Sequence, residues 1–177
     1  TIRSPKYFDQ INVIKNILAQ LPYDYYLILK EHPAWIGAYN KKTINELYKL
    51  SDKVFFIDPN INSHDITSGA VGIITINSKA GAEAAAKGKK VFSLGDSFYS
   101  NSDIVDQVKD ISQLGNHIKS YLESQETPSN EKINQFFSNL FDETYNGELY
   151  DMGTKNIHKF SSSIIKFIDS IKPSKKY

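Results

Sequence analysis

Asn77 and Ser78 stand between a run of β-branched residues and an alanine-rich stretch that begins at Lys79. The stretch predicts a helix, and the N–H groups at its start, the helix dipole and the Ser78 hydroxyl can together bind a phosphate. Gly81 has no side chain, which permits close approach of a ligand. The pattern therefore predicts an anion site, although capping of the helix by Asn77 or Ser78 explains most such residues.

Two further side chains can complete such a site. Glu83, in the first turns of the same predicted helix, can hold a ribose diol or can simply be an acid favoured by the helix dipole. His32 precedes Pro33, which forces the histidine into an extended conformation and ends a regular strand there. At the carboxyl end of a strand, His32 can donate a hydrogen bond to a phosphate or protonate a leaving oxygen, although a lone histidine is more often structural.

Alternating strands and helices position these residues. Strands are predicted at residues 25–29, 54–57, 71–76 and 91–94, with a short extended segment at 104–108. Helices are predicted at residues 7–20, 42–50, 79–87, 111–122, 131–141 and 154–171, with a short helix that Asn62 or Ser63 caps and Gly69 ends. The run Val71–Ile76 predicts a buried parallel strand. The order indicates an α/β fold with a Rossmann-like parallel sheet, flanking helices and a helical C-terminal tail, whose ligands bind at the carboxyl ends of the strands.

We expect residues 1–125 to form a Rossmann-like binding domain and residues 126–177 to be helices packed on the same domain. A Rossmann-like half usually opens with a strand, whereas this chain opens with a polar stretch and a helix. Either the missing strand lies upstream of Thr1 or the sheet starts with the strand at 25–29. Since the chain begins at threonine rather than methionine, we expect it to be part of a longer protein.

Composition excludes several kinds of chemistry. Twenty-one basic residues balance twenty acidic ones, so no strong field indicates nucleic acid. The chain has no cysteine, which rules out disulfides and thiolate catalysis. It has no metal-ligand spacing, dinucleotide fingerprint, P-loop or nucleophile elbow, so we expect neither a metal nor a cofactor. Without a signal peptide or a long apolar run, we expect a cytoplasmic location.

Three segments occur in order along the chain: Lys30-Glu31-His32-Pro33, then Asp58-Pro59 with Asn62-Ser63-His64-Asp65, then Thr75 to Glu83 continuing through Gly88-Lys89-Lys90-Val91 to Leu94-Gly95. Each is weak alone, but their order and spacing resemble the carboxyl-terminal half of the capsular polysaccharide biosynthesis family. That family contains bacterial Kdo transferases and related surface-glycan enzymes of the GT-B fold. The resemblance covers roughly residues 4–122.

The resemblance implies a glycosyltransferase whose donor is a nucleotide sugar, with a CMP-activated sugar such as CMP-Kdo favoured, and makes residues 1–125 the donor-binding domain. The family's His-Pro pair and its serine or threonine at the strand-to-helix turn contact the nucleotide phosphate, and His32-Pro33 and Ser78 match them. Glu83 matches the acidic residue that holds the ribose. At the position after the serine, the family often has a small hydroxyl or apolar residue. This chain has Lys79 there, which either adds charge near the phosphate or faces outward.

GT-B enzymes react in a cleft between two domains, and the acceptor half normally supplies the catalytic carboxylate. The resemblance therefore implies an upstream acceptor domain of the same protein and a glycan or glycolipid acceptor. It also implies peripheral association of the full-length enzyme with the inner face of the membrane. His32 is the catalytic candidate within this chain. The alternatives are a UDP-sugar transferase or 2-epimerase with a similar carboxyl-terminal domain, and a non-catalytic polysaccharide export or assembly module.

Overall fold

The computed structural model of the chain describes residues 4–32 and 36–171. Pro33, one of the candidate site residues, lies outside the described residues. The chain divides into two compact units, Thr1–Asn134 and Gln135–Tyr177. The predicted packing of residues 126–177 on the first domain stays a prediction.

Strands and helices alternate through the first unit, as the sequence predicts. The strands are β1 (Leu27–Lys30), β2 (Val54–Ile57), β3 (Gly72–Thr75), β4 (Lys90–Ser93) and β5 (Asp106–Gln107). The helices are α1 (Gln10–Gln20), α2 (Lys41–Leu50), α3 (Ser63–Gly69), α4 (Lys79–Ala86), α5 (Leu114–Ser124), α6 (Asn130–Asp142) and α7 (Thr154–Ile171). Short 3-10 turns cover Pro5–Tyr7 and Ile111–Gln113.

Local signals set the ends of the helices. The Asn62 side chain accepts a hydrogen bond from the His64 N–H at the start of α3, and Asp9 caps α1 by accepting from the Asn12 N–H. Gly88, just after α4, has a φ of 71°, a conformation that glycine adopts without steric cost. Such signals are local in the chain, which is why the sequence predicts these boundaries to within a few residues.

Every strand pair is parallel, which confirms the Rossmann-like α/β prediction. Leu27 of β1 lies opposite Val54 of β2, and Gly72 of β3 lies opposite Lys90 of β4. The last strand, β5, adds to β4 over two residues only. Within residues 4–32 and 36–171, the strands form two ladders, β1–β2 and β3–β4–β5, rather than one continuous sheet.

The prediction that Val71–Ile76 is a buried strand is wrong in its degree of burial. Val71 is 50% exposed and precedes β3, in which Thr75 alone is buried. The neighbouring strand β4 is buried as a parallel strand should be, with Val91 0% and Phe92 3% exposed. Burial of β3 is incomplete because it pairs with β4 along one edge only. Its other edge pairs with no strand among the described residues.

A single hydrophobic core holds both ladders together. Helices α1, α2 and α5 contribute buried side chains that pack with those of β1, β2 and β4. The contributors include Ile14, Ile17, Leu47, Val54, Phe92, Leu114 and Ile118. Full burial of one such side chain is worth about 1.5–3 kcal/mol, so this core fixes the strand ends on which the candidate site stands.

In the second unit, α7 packs with the loop that precedes it. The Asn156 side-chain amide donates to the carbonyl oxygens of Glu148 and Asp151, and its oxygen accepts from the Glu148 N–H. The rings of Tyr145 and Phe167 meet edge to face at 5.9 Å. Across both units, none of the helices described is long and apolar enough to cross a membrane.

Candidate functional site

Helix α4 begins where the anion site is predicted, directly after β3. The Ser78 hydroxyl accepts a hydrogen bond from the Ala80 N–H at 3.2 Å, and the Thr75 hydroxyl accepts from the Ser78 N–H at 3.1 Å. Ser78 is therefore the helix N-cap. A hydroxyl that accepts one hydrogen bond still has a proton to donate, and Ser78 is exposed. The capping role and a ligand-binding role are thus compatible in this geometry.

Gly81 has a packing partner that the sequence analysis missed. A Cβ at this position would lie 2.9 Å from Cζ of Tyr99 and 2.8 Å from Cγ2 of Thr75. Tyr99 is fully buried, and its hydroxyl donates a hydrogen bond to the carbonyl oxygen of Ser78. The Tyr99 ring, whose hydroxyl holds the start of α4, therefore fills the space beside Gly81. The sequence alone suggested that this space admits a ligand. The sequence feature that could have indicated Tyr99 is the pair of aromatic residues in the otherwise polar loop after β4.

Asn77 joins three separate parts of the chain. Its side-chain amide donates to the Ser4 hydroxyl at 3.0 Å, and that hydroxyl also accepts from the Asp96 N–H at 3.0 Å. A Cβ on Gly95 would collide with the side-chain oxygen of Asn77 and with the carbonyl oxygen of Ile76. Asn77 thus ties the N-terminal segment and the turn after β4 to the carboxyl end of β3, which is a positioning role.

Lys79 and Glu83 lie one helical turn apart on α4. The Lys79 ammonium is 3.9 Å from a carboxylate oxygen of Glu83, and its side chain is almost fully exposed. Of the two orientations considered for Lys79, the structure shows the outward one. An exposed pair at this distance contributes little stability, so a ligand group could replace the lysine next to Glu83 at small cost.

His32 lies just after the carboxyl end of β1 and is exposed. The carboxylate of its neighbour Glu31 accepts hydrogen bonds from the N–H groups of Tyr39 at 2.8 Å and of Gly37 at 3.0 Å. These bonds, with that of Tyr39 the stronger cause, lower the pKa of Glu31. Glu31 therefore closes the loop that carries His32. The sequence analysis singled out the histidine and did not foresee this role.

Tyr39 links the same loop to α1 and β2. Its hydroxyl donates to the side-chain oxygen of Gln10 at 2.6 Å, and its ring meets Phe56 edge to face at 5.6 Å. Burial, followed by the charge of Glu31, raises the pKa of Tyr39. Both effects keep the phenol protonated, so it remains a hydrogen-bond donor at neutral pH.

A pocket of about 420 Å³ lies at the carboxyl ends of β4 and β5. It is lined by Ser4, Pro5, Lys6, Leu94, Gly95, Asp96, Gln107 and Lys109. The Lys6 ammonium donates to the carbonyl oxygen of Lys109 at 2.8 Å, which joins two segments far apart in the chain. The pocket adjoins the anion site through Ser4. The sequence did not reveal it because its lining residues are scattered along the chain.

A larger groove of about 500 Å³ lies between α1 and α5 and contains no candidate residue.

The candidate residues fall into two groups. Asn77, Ser78, Lys79, Gly81 and Glu83 lie together at the start of α4, after β3. His32 follows β1, which belongs to the other ladder. Within residues 4–32 and 36–171, no group of three or more histidine, aspartate and glutamate side chains could hold a metal ion.

Comparison with known proteins identifies the family of this chain. The model of the family described as capsule polysaccharide biosynthesis protein matches residues 6–150. The chain therefore belongs to the capsule polysaccharide biosynthesis family, which points to a role in surface polysaccharide synthesis.

A curated relative gives a second comparison. Protein FixF of Sinorhizobium fredii (strain NBRC 101917 / NGR234) is 34% identical over 117 residues, which cover 64% of this chain. The chain spans only 27% of the length of FixF. No solved structure matches the chain significantly.

Proposed function

We propose that this chain is the donor-binding domain of a bacterial surface or capsular polysaccharide glycosyltransferase that uses a CMP-activated sugar such as CMP-Kdo. The family match supports the setting of surface polysaccharide synthesis. The observation that carries the site is that α4 starts with an exposed Ser78 at the carboxyl end of β3. A helix N-terminus of this kind favours a bound phosphate through its dipole and the N–H groups that point along the helix axis.

The proposed mechanism stabilises the departing CMP. As the glycosidic bond breaks, negative charge grows on the phosphate, and donors that already point at it favour the transition state over the ground state. The groups are the N-terminus of α4, the Ser78 hydroxyl and His32, which also protonates the leaving oxygen. Loss of one such donor typically raises the barrier by about 2.7–4 kcal/mol. Glu83 holds the ribose, and no metal is required.

The acceptor half of the same polypeptide completes the proposed enzyme. It supplies the catalytic carboxylate and binds a glycan or glycolipid acceptor, and the whole enzyme works in the cytoplasm at the inner face of the membrane. This chain alone then binds the donor without transferring sugar.

Calorimetric titration with CMP, CMP-Kdo and UDP tests the donor site through Ser78. We expect Ser78→Ala to weaken CMP binding and to lose part of the helix cap, at a cost of about 0.5–2 kcal/mol in stability. Ser78→Asp separates the two roles, because aspartate caps as well as serine but repels a phosphate. We therefore expect Ser78→Asp to keep its stability and lose CMP binding.

A matched control is Asn62→Ala, which removes the cap of α3 and should leave CMP binding unchanged. His32 belongs to the other group of candidate residues. His32→Ala should weaken CMP binding, while replacement of the exposed His158 by alanine should not.

Unchanged CMP affinity in both Ser78→Asp and His32→Ala would contradict the proposed site. Tighter binding of UDP than of CMP would select the UDP-sugar transferase or 2-epimerase instead. Absence of any nucleotide binding, with a co-purifying partner, would select the export or assembly module.

A further inference from the structure

The loop that joins α6 to α7, residues 143–153, contains a chemically reactive pair of residues. Asn146 is the one asparagine of the sequence that glycine follows, and both residues are exposed. The main-chain nitrogen after an asparagine can attack the carbonyl carbon of the asparagine side chain, and a side chain on that next residue hinders the approach. Because glycine has no side chain, the attack from Gly147 is unhindered.

The fold of this loop requires glycine at position 147. The φ of Gly147 is 132°, in the region that favours glycine. A Cβ there would also lie 2.9 Å from Cα of Phe160 in α7, which is too close for a side chain against backbone. The close approach of the loop to α7 therefore retains the reactive pair, since any other residue at 147 would be strained.

The Asn146 side chain is available for the reaction. Among the residues that the structure describes, its amide makes no hydrogen bond. Two other asparagines are held in place: the side-chain oxygen of Asn62 accepts from the His64 N–H, and the Asn77 amide donates to the Ser4 hydroxyl. Those amides must break a hydrogen bond before they can turn toward the main chain, whereas the Asn146 amide need not.

The main chain on both sides of Gly147 is bound to α7. The carbonyl oxygen of Asn146 accepts a hydrogen bond from the hydroxyl of Ser163, a buried residue of α7. The Asn156 side chain, also in α7, binds both the N–H and the carbonyl oxygen of Glu148. A change in the length of the main chain between residues 146 and 148 therefore acts directly on these contacts.

We propose that Asn146 is a deamidation site and that its conversion to isoaspartate releases the loop from α7. The main-chain nitrogen of Gly147 forms a bond to Cγ of Asn146, and the bond from Cγ to the side-chain nitrogen breaks. That nitrogen leaves as ammonia and takes the proton from Gly147, so that a succinimide ring remains. Water then opens the ring at either carbonyl carbon and gives aspartate or isoaspartate.

The isoaspartate product removes the anchor of the loop. Its main chain runs through the former side-chain carbon, which inserts one more carbon atom between residue 146 and Gly147. The carbonyl group that Ser163 binds then belongs to a free carboxylate and no longer to the main chain. Each conversion also adds one negative charge to the exposed loop. This inference is independent of the proposed nucleotide-sugar donor.

Peptide mass spectrometry of the whole chain, aged at mildly alkaline pH, tests the reaction. Each deamidation raises the mass of its peptide by about one dalton, and isoaspartyl methyltransferase labels the isoaspartate form. The internal control is Asn101, which is also exposed but is followed by Ser102. We expect Asn146 to convert at least about tenfold faster than Asn101, because Gly147 offers no steric hindrance.

Amide hydrogen exchange of α7 tests the structural consequence. We expect the amides of Asn156 and Ser163 to exchange at least about tenfold faster in the aged chain than in the fresh chain. Asn146→Gln keeps an amide but closes such a ring less readily, so its aged form should retain slow exchange. Freshly purified Asn146→Asp has the added charge on a normal main chain, and it should also retain slow exchange.

Three results would overturn the proposal. One is conversion of Asn146 no faster than that of Asn101. Another is full conversion to isoaspartate with no change in the exchange of α7. The third is equally fast exchange in fresh Asn146→Asp, because the added charge and not the altered main chain would then release the loop.

Discussion

Glu31 supports the candidate site through the loop that it closes. Its two backbone hydrogen bonds to Gly37 and Tyr39 span the segment that carries His32. Ser78 and Tyr99 are related in a similar way, because the Tyr99 hydroxyl holds the carbonyl oxygen of the residue that caps α4. At the scale of single residues, the candidate ligand-binding groups are thus positioned by neighbours that need not touch a ligand.

We expect Glu31→Ala to loosen the loop, so that the amides of Gly37 and Tyr39 exchange faster and CMP binds more weakly. Glu126→Ala, which removes another exposed carboxylate, is the control and should change neither. The pKa of Glu31 is lower in the folded protein than its ordinary value of 4.5, so its contribution is fully present above that value. The contribution is lost as the pH falls through the lower, folded-state pKa. Loop protection that stays constant across that acid range would contradict this role.

Gly81→Ala should destabilise the protein by about 1–3 kcal/mol, because the new methyl group would overlap the ring of Tyr99. Gly69 is a matched control, since a Cβ there meets nothing within 4 Å. Gly69→Ala at the end of α3 should be neutral or stabilising by up to about 1 kcal/mol. Urea unfolding measures both variants, and equal stabilities would contradict the packing role of Gly81.

At the scale of elements, the faces of the β1–β2 ladder differ sharply. Val54 is 1% exposed, whereas its neighbour Phe55 is 47% exposed and meets the ring of Tyr26 at 5.6 Å. Alternation along the strand explains why adjacent apolar residues have such different surroundings. Burial in this ladder is thus one-sided, although apolar residues occupy both faces.

We expect Val54→Thr to lower the free energy of unfolding by about 1–3 kcal/mol, because it places a hydroxyl in the core. Phe55→Thr should cost less, since the ring is already half in water, and should reduce aggregation. Chemical unfolding and light scattering of the two variants check this pair. A larger loss of stability for Phe55→Thr would show that its face is covered.

At the scale of the whole molecule, the family match extends from residue 6 to residue 150 and so covers both compact units in part. The second unit, Gln135–Tyr177, is short and has exposed apolar residues along α7, among them Ile165 and Ile171. Segments of this size rarely fold without disulfides, metals or partners. The unit is therefore expected to depend on the rest of the protein.

Removal of residues 135–177 tests the prediction that the C-terminal helices pack on the first domain. If they do, the melting temperature of residues 1–134 falls below that of the whole chain, and the isolated segment 135–177 shows no cooperative unfolding by circular dichroism. An unchanged melting temperature would contradict the prediction. Asn62→Ala in the whole chain removes one helix cap and nothing else, so the shift in its melting temperature gives a scale for comparison.

The sequence by itself determined the kinds and places of the elements, limited the caps of α3 and α4 to two neighbouring residues each, and indicated the family. These features depend on periodicity and on neighbours a few residues away, which the order of amino acids states directly. Only the tertiary structure decided that the strands form two ladders, that Tyr99 fills the space at Gly81, and that Asn77 bonds to Ser4. Such contacts join residues far apart in the chain, and they are selected by the packing of the whole core rather than by any local pattern.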